Sequence, residues 1–205
     1  MDASGLLQAN TEVWREYWPE VEEAWTLGTL NGAAVSLEVW RRALRVCGHD
    51  DESLALLASD THRRLVREHT RLFDDAHHLL TWLSGTNLRL AVITNGASDT
   101  QRDALRALGI EQLFGAVLIS GEIGIAKPDA GIFRIALEKL QVRPAKVCHV
   151  GDSLRVDVAG AKASGLCAIW LNRHRAIRSA ADPQPDYEVR SLLELTRLLD
   201  DGARA

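Results

Sequence analysis

A four-residue apolar run, Val147, Cys148, His149 and Val150, ends on Gly151 and is followed by Asp152 and, five residues later, by Asp157. A run this short and apolar reads as a buried strand, and the glycine as the point where it stops. Asp152 then falls in the turn at the strand's carboxyl end and Asp157 about one turn into the next helix, so both carboxylates can face one small volume. In an open α/β sheet that edge is where ligands bind. Two carboxylates there suit Mg²⁺, a hard cation that takes oxygen ligands and keeps waters and substrate phosphate in its shell. A solvated turn with an N-cap explains GDSxxxD equally well, since Asp and Ser are ordinary capping residues.

The 205 residues hold one α/β domain, or a core with a small helical partner. A net charge of -4 with dispersed Lys and Arg provides no field for nucleic acid. The three cysteines, Cys47, Cys148 and Cys167, lack CxxC spacing and read as reduced thiols, which favours a cytoplasmic location. No apolar stretch approaches the length of a membrane span, and the N-terminus does not read as a signal peptide.

Residues 1–71 are helical in pattern, with Leu7, Trp14, Trp18, Val21 and Trp25 on one stripe. Pro19 is expected to kink this helix or begin another, and Ser36 to cap a helix running to Val46. Four of the six tryptophans (Trp14, Trp18, Trp25, Trp40) lie here. Core filling of a small bundle is favoured over an aromatic substrate pocket. From residue 72 to 205 helices alternate with short apolar strands, the pattern of a Rossmann-like parallel sheet wrapped by helices. Helices are predicted over 75–83, 98–108, 130–140 and 191–199. Strands are predicted over 88–93, 116–119 and 167–171, with a last short one near Tyr187.

Two further polar groups fall near strand ends. Thr94, Asn95 and Gly96 follow the strand at 88–93 and precede a helix, where a hydroxyl and backbone N–H groups can hold an anion; the same three residues also suit a plain turn. Lys127 stands before Pro128 at a helix entrance, a place where a lone lysine is ordinarily solvated.

The order Thr94, Lys127, Asp152/Asp157 resembles the haloacid dehalogenase superfamily over nearly the whole chain. TNGASDTQ, SGEIGIAKPDAGIF and HVGDSLRVDVAGAKASG are similar to its second, third and fourth motifs. The helical first third resembles its cap domain, and GDS and Gln101 resemble the Mg²⁺-dependent phosphatases of sugar phosphates and nucleotides. The resemblance implies that Thr94, Asn95 and Gly96 bind phosphoryl oxygens and that Lys127 neutralises charge. It also implies that Asp152 holds Mg²⁺, with Asp157 either a further ligand or a residue behind the ligands. The substrate would be a small phosphorylated metabolite, with no nucleic-acid or membrane partner and a monomeric or homodimeric state.

The family's DxDxT motif, which carries the attacking aspartate and the general acid, has no counterpart before the helical region, where only MDASG stands. Three readings follow: a phosphatase whose true start lies upstream of Met1, a catalytically inactive binding or regulatory protein, and a receiver-like signalling domain. Motif order disfavours the receiver, whose Lys-Pro comes last. The first is preferred, because in the family the missing strand lies mid-sheet, and each unpaired buried backbone group costs about 1 to 3 kcal/mol against a margin of roughly 5 to 15 kcal/mol. On this reading Met1 is a misassigned start, with the nucleophile six residues and the general acid four residues before it.

Overall fold

The computed structural model describes residues 2–202, with side chains described to residue 199; Met1, and with it the expectation about the start, lies outside them. The element order is α1 (Ala3–Thr26), α2 (Gly32–Val46), α3 (Glu52–His69), α4 (Asp74–Ser84), β1 (Ala91–Thr94), α5 (Ser98–Leu108), β2 (Ala116–Ile119), α6 (Ser120–Ile123), α7 (Ala130–Leu140), β3 (Cys148–Gly151), a π-helical turn (Leu154–Val158), α8 (Ala159–Ala163), β4 (Cys167–Leu171), β5 (Tyr187–Val189) and α9 (Leu193–Gly202). The α/β class with parallel strands is as the sequence predicts. None of the described helices is long and apolar enough to cross a membrane.

The chain divides into two compact units. One comprises residues 1–70, 94–109 and 119–124; the other comprises 71–93, 110–118 and 125–205.

In the first unit α1 runs on through Pro19, so that no new helix begins there. Proline removes one N–H from the helix ladder, and Pro19 lies on the exposed side, where water can satisfy the carbonyl left over. The buried stripe also differs from the predicted one. Ala9, Val13 and Val21 are buried, with Leu6, Tyr17, Trp18 and Trp25 packed against them, whereas Leu7 is 60% and Trp14 42% exposed. The stripe is rotated by about one residue because α1 packs small side chains against Val35, Val39 and Ala43 of α2, and bulky indoles fit only at its margin. Asn31, not Ser36, caps α2, accepting the Ala34 N–H at 2.8 Å. Ser36 is inside the helix and its hydroxyl accepts from Ser59 at 2.9 Å. The start of α2 is held a second time: Asp99 of α5 accepts the Gly32 and Ala33 N–H groups at 2.8 and 3.0 Å, a carboxylate placed at the positive end of the helix dipole.

In the second unit β3, β4 and β5 form a parallel sheet in which Cys148 faces Cys167, Val150 faces Ile169 and Ile169 faces Tyr187. Strands β1 and β2 pair separately, and no described strand joins the two sheets. Ile169 and Val189 pack with Leu79, Leu83 and Leu195 beneath the three-stranded sheet. Asp75 ties α4 to this layer, taking Arg173 in a fork at 2.7 and 3.0 Å together with the Ser191 hydroxyl and the Leu192 N–H. The Arg173 hydrogen bonds hold its carboxyl well below the usual carboxylate range, against a smaller upward push from burial.

Candidate active site

Strand β3 ends on Gly151, and the turn after it curls tightly enough to bring the Asp157 carboxylate back over that glycine. A Cβ on Gly151 would lie 2.2 Å from the Asp157 Cγ, so only glycine leaves room. Ser153 organises the turn, its hydroxyl capping the Val156 N–H at 3.2 Å and its own N–H donating to Asp157 Oδ2 at 3.0 Å. The bend is finished by the π-helical turn, a wider winding often found at functional sites.

Asp157 is almost wholly buried and receives Lys127 Nζ on Oδ1 at 2.7 Å. The Lys127 side chain is itself only 12% exposed. His149 Nε2 stands 3.2 Å from the same oxygen, and its ring meets Phe133 edge-on at 5.0 Å. Burial pushes the Asp157 carboxyl up, but the His149 hydrogen bond, the Lys127 charge and the Ser153 N–H outweigh it and leave it below the usual range. Asp157 is therefore ionised at neutral pH and holds the Lys127 side chain in place. A cis peptide bond joins Lys127 to Pro128.

Asp152 differs from Asp157 in its setting. It follows β3 directly, is exposed, and its backbone carbonyl accepts the Trp170 indole N–H at 2.9 Å. Of the two carboxylates expected to hold a metal, one thus faces solvent and the other already binds a lysine. Among the described residues no three His, Cys, Asp or Glu side chains are grouped as a ready metal cage. Mg²⁺ does not need one: one or two carboxylates, with water and substrate phosphate in the remaining positions, suffice. Asp152 fits as the direct ligand, and Asp157 fits better as the residue that orients Lys127.

The Thr94 loop belongs to the helical unit. Thr94 is the last residue of β1 and donates to Gln101 Oε1 at 2.8 Å. Gly96, expected to turn its N–H to phosphate, donates it to Ser120 Oγ at 2.9 Å. At φ 141° Gly96 has a backbone that side-chain-bearing residues rarely adopt, and a Cβ there would meet the Trp25 ring at 2.4 Å. Asn95 and Gly96 lead into α5, which has no side-chain cap of its own. Glu122 closes the loop region by accepting Ser98 at 2.7 Å and Arg102 at 2.8 and 2.7 Å. The structure thus brings Thr94 and Gly96 together with Ser120 and Gln101, and Lys127 and Asp157 with His149 and Ser153. Sequence reasoning missed Ser120, Ser153 and His149. Ser120 could have been found as the polar residue directly after β2, the position Asp152 holds after β3.

Residues 3–165, most of the chain, match the family described as haloacid dehalogenase-like hydrolase. The chain belongs to that family. It is 38% identical over 159 residues to the phosphoserine phosphatase of Thermus thermophilus, a match that takes in 77% of this chain and 62% of that protein. It is 34% identical over 163 residues to the N-acylneuraminate-9-phosphatase of Mus musculus, covering 78% of this chain and 65% of the relative. The chain thus spans less than two thirds of the length of these curated relatives. Among solved structures it is similar to the HAD-hydrolase YfnB of Bacillus subtilis bound to magnesium. The TM-score is 0.67 and the identity 27%, over 96% of this chain and 82% of that one. As a haloacid dehalogenase-like hydrolase, the chain carries Lys127 and Asp152 in one compact unit and Thr94 in the other.

Proposed function

We propose that this hydrolase is a Mg²⁺-dependent phosphatase that acts on a small phosphate monoester, a sugar phosphate or nucleotide, through an aspartyl-phosphate. The observation that carries this reading is the buried Lys127, held at 2.7 Å by Asp157, in the same unit as the exposed carboxylate of Asp152 beyond the end of β3. A lysine that a protein buries and fixes on a carboxylate is suited to receive a dianionic group without reorganising. The two phosphatases to which the chain is similar support the same chemistry.

Thr94 and the loop N–H groups would bind phosphoryl oxygens, the Gly96 N–H exchanging Ser120 Oγ for the ligand. Lys127 would neutralise charge on the transferring group while Asp157 and His149 keep its ammonium in position. When bound at Asp152, Mg²⁺ would supply further charge neutralisation. These groups bind and polarise; the attacking atom in this class of reaction is an aspartate carboxylate, which Thr94 and Lys127 do not provide.

The test is phosphate release from phosphoserine, sugar phosphates and nucleoside monophosphates by the product of the whole open reading frame, with and without Mg²⁺. Release that needs Mg²⁺ and is lost in Asp152→Asn is expected. Dechlorination of 2-chloropropionate with no phosphate release from any ester would overturn the reading.

A further inference from the structure

Helices α1, α2, α3 and α5 surround a cavity of about 450 Å³, all of whose lining residues belong to the helical unit. That volume is in the range of small-molecule sites. No group of the proposed phosphoryl chemistry lines it.

Four features of its wall specify an occupant. First, Trp14, Trp25 and Trp40 all contribute to it, and Trp14 remains 42% and Val66 53% exposed although both border this apolar space. An indole left partly exposed beside aliphatic side chains favours a flat, apolar guest. Second, Asn10 lines the cavity, and its side-chain nitrogen is shut off from solvent with no hydrogen-bond partner. The terminal torsion of asparagine is broad, so this N–H₂ group can turn toward an acceptor in the cavity. Third, His62 accepts the Trp40 indole N–H on Nδ1 at 3.3 Å, which places the ring proton on Nε2 as a second donor. Fourth, the cations on the wall are already balanced. Arg63 lies 3.3 Å from Asp99 and 3.7 Å from Asp103, and Arg67 lies 3.2 Å from Asp103. A charged ligand would have to displace one of these partners.

We propose that this cavity is a binding site for a neutral, planar aromatic molecule bearing a carbonyl acceptor, an aryl carboxamide being the simplest case. The ring packs on the tryptophan wall and the carbonyl accepts from Asn10 or His62. The site is distinct from the phosphatase reading and stands without it, because binding here needs neither phosphate nor Mg²⁺.

The experiment is a titration of the 205-residue chain with benzamide, in buffer free of phosphate and divalent cations, followed by tryptophan fluorescence and calorimetry. Benzene serves as a probe without an acceptor and benzoate as a charged one. Saturable one-to-one binding of benzamide with a dissociation constant below about 1 mM is expected, and benzoate should bind at least tenfold more weakly. Asn10→Leu should weaken benzamide about tenfold and leave benzene unchanged, a difference that a general loss of structure would not produce. Val66→Trp, at an exposed position on the wall, should fill the space and reduce both. Absence of saturation by benzamide, equal binding of benzoate, or unaltered benzamide binding in Asn10→Leu would each overturn the proposal.

Discussion

Replacing Asp157 by Asn removes one charge from the most buried ion pair described and leaves its size unchanged. Lys127 is 12% and Asp157 6% exposed, so neither is well screened by water. At their 2.7 Å separation the gross attraction at an effective dielectric of 20 is about 6 kcal/mol, much of it cancelled by the cost of burying two ions. Removing one partner of such a pair destabilises by about 3 to 5 kcal/mol, because the other charge stays buried and unpaired. The amide oxygen can still accept from Lys127 and Ser153, which places the expected loss near the lower figure, about 3 kcal/mol. In urea, unfolding followed by tryptophan fluorescence should show a midpoint lowered by roughly 1 M. The pH dependence has a definite sign. The carboxyl lies below its unfolded value when folded, so its contribution is complete above the unfolded pKa of about 3.9 and is lost as pH falls through the folded value. The wild type should therefore exceed Asp157→Asn by a constant amount above about pH 5, and the gap should narrow by about 1 kcal/mol by pH 3. Lys127→Met should be mildest in acid, where Asp157 can take a proton, and the double variant should be less harmful than the sum of the two singles. A loss below about 1 kcal/mol at pH 7, or a gap unchanged by acid, would refute this account of the pair.

Asp99→Ala removes the acceptor of the Gly32 and Ala33 N–H groups and should cost about 2 kcal/mol in thermal or urea unfolding; a loss within experimental error would show that Asn31 alone caps α2. Gly96→Ala, forced into a left-handed backbone against the Trp25 ring, should destabilise by more than about 2 kcal/mol and shift the tryptophan emission. Asp75→Asn should lower the melting temperature by several degrees, by roughly 2 to 4 °C per kcal/mol lost in a chain of this size. The wild-type margin over that variant should shrink in acid, since the Asp75 carboxyl is likewise held low in the folded state. Calorimetry should detect Mg²⁺ binding by the wild type and none by Asp152→Asn; equal binding by both would remove Asp152 from the metal site.

Much of the fold was legible because local patterns determine it. The spans 98–108, 116–119, 130–140 and 167–171 coincide with α5, β2, α7 and β4, each a clean periodic or apolar run ended by a recognisable stop. Gly109, for example, ends α5 in the left-handed conformation glycine favours. Strand β1 starts three residues later than its apolar run because a strand is defined by its partner, and Leu88 is left 48% exposed. The α1 stripe was misjudged by weight of hydrophobicity: tryptophan scores as core, yet the tight α1–α2 contact admits alanine and valine. At the site, the sequence named Lys127 and Asp157 but not their pairing. Nothing in a 30-residue separation announces a 2.7 Å contact, and the π-helical turn that creates it has no sequence signature of its own. His149 read as one more apolar strand position because its role depends on side-chain contacts with Phe133 and Asp157 that local periodicity does not reveal.

The central proposal, that Lys127 and Asp152 take part in binding phosphate and Mg²⁺, is tested most directly by titrating inorganic phosphate into the 205-residue chain with and without Mg²⁺, observed by phosphorus NMR and calorimetry. Binding that requires Mg²⁺ and weakens at least tenfold, about 1.4 kcal/mol, in each of Lys127→Met and Asp152→Asn is the predicted result. Phosphate binding that is indifferent to Mg²⁺, or undiminished in both variants, would contradict it.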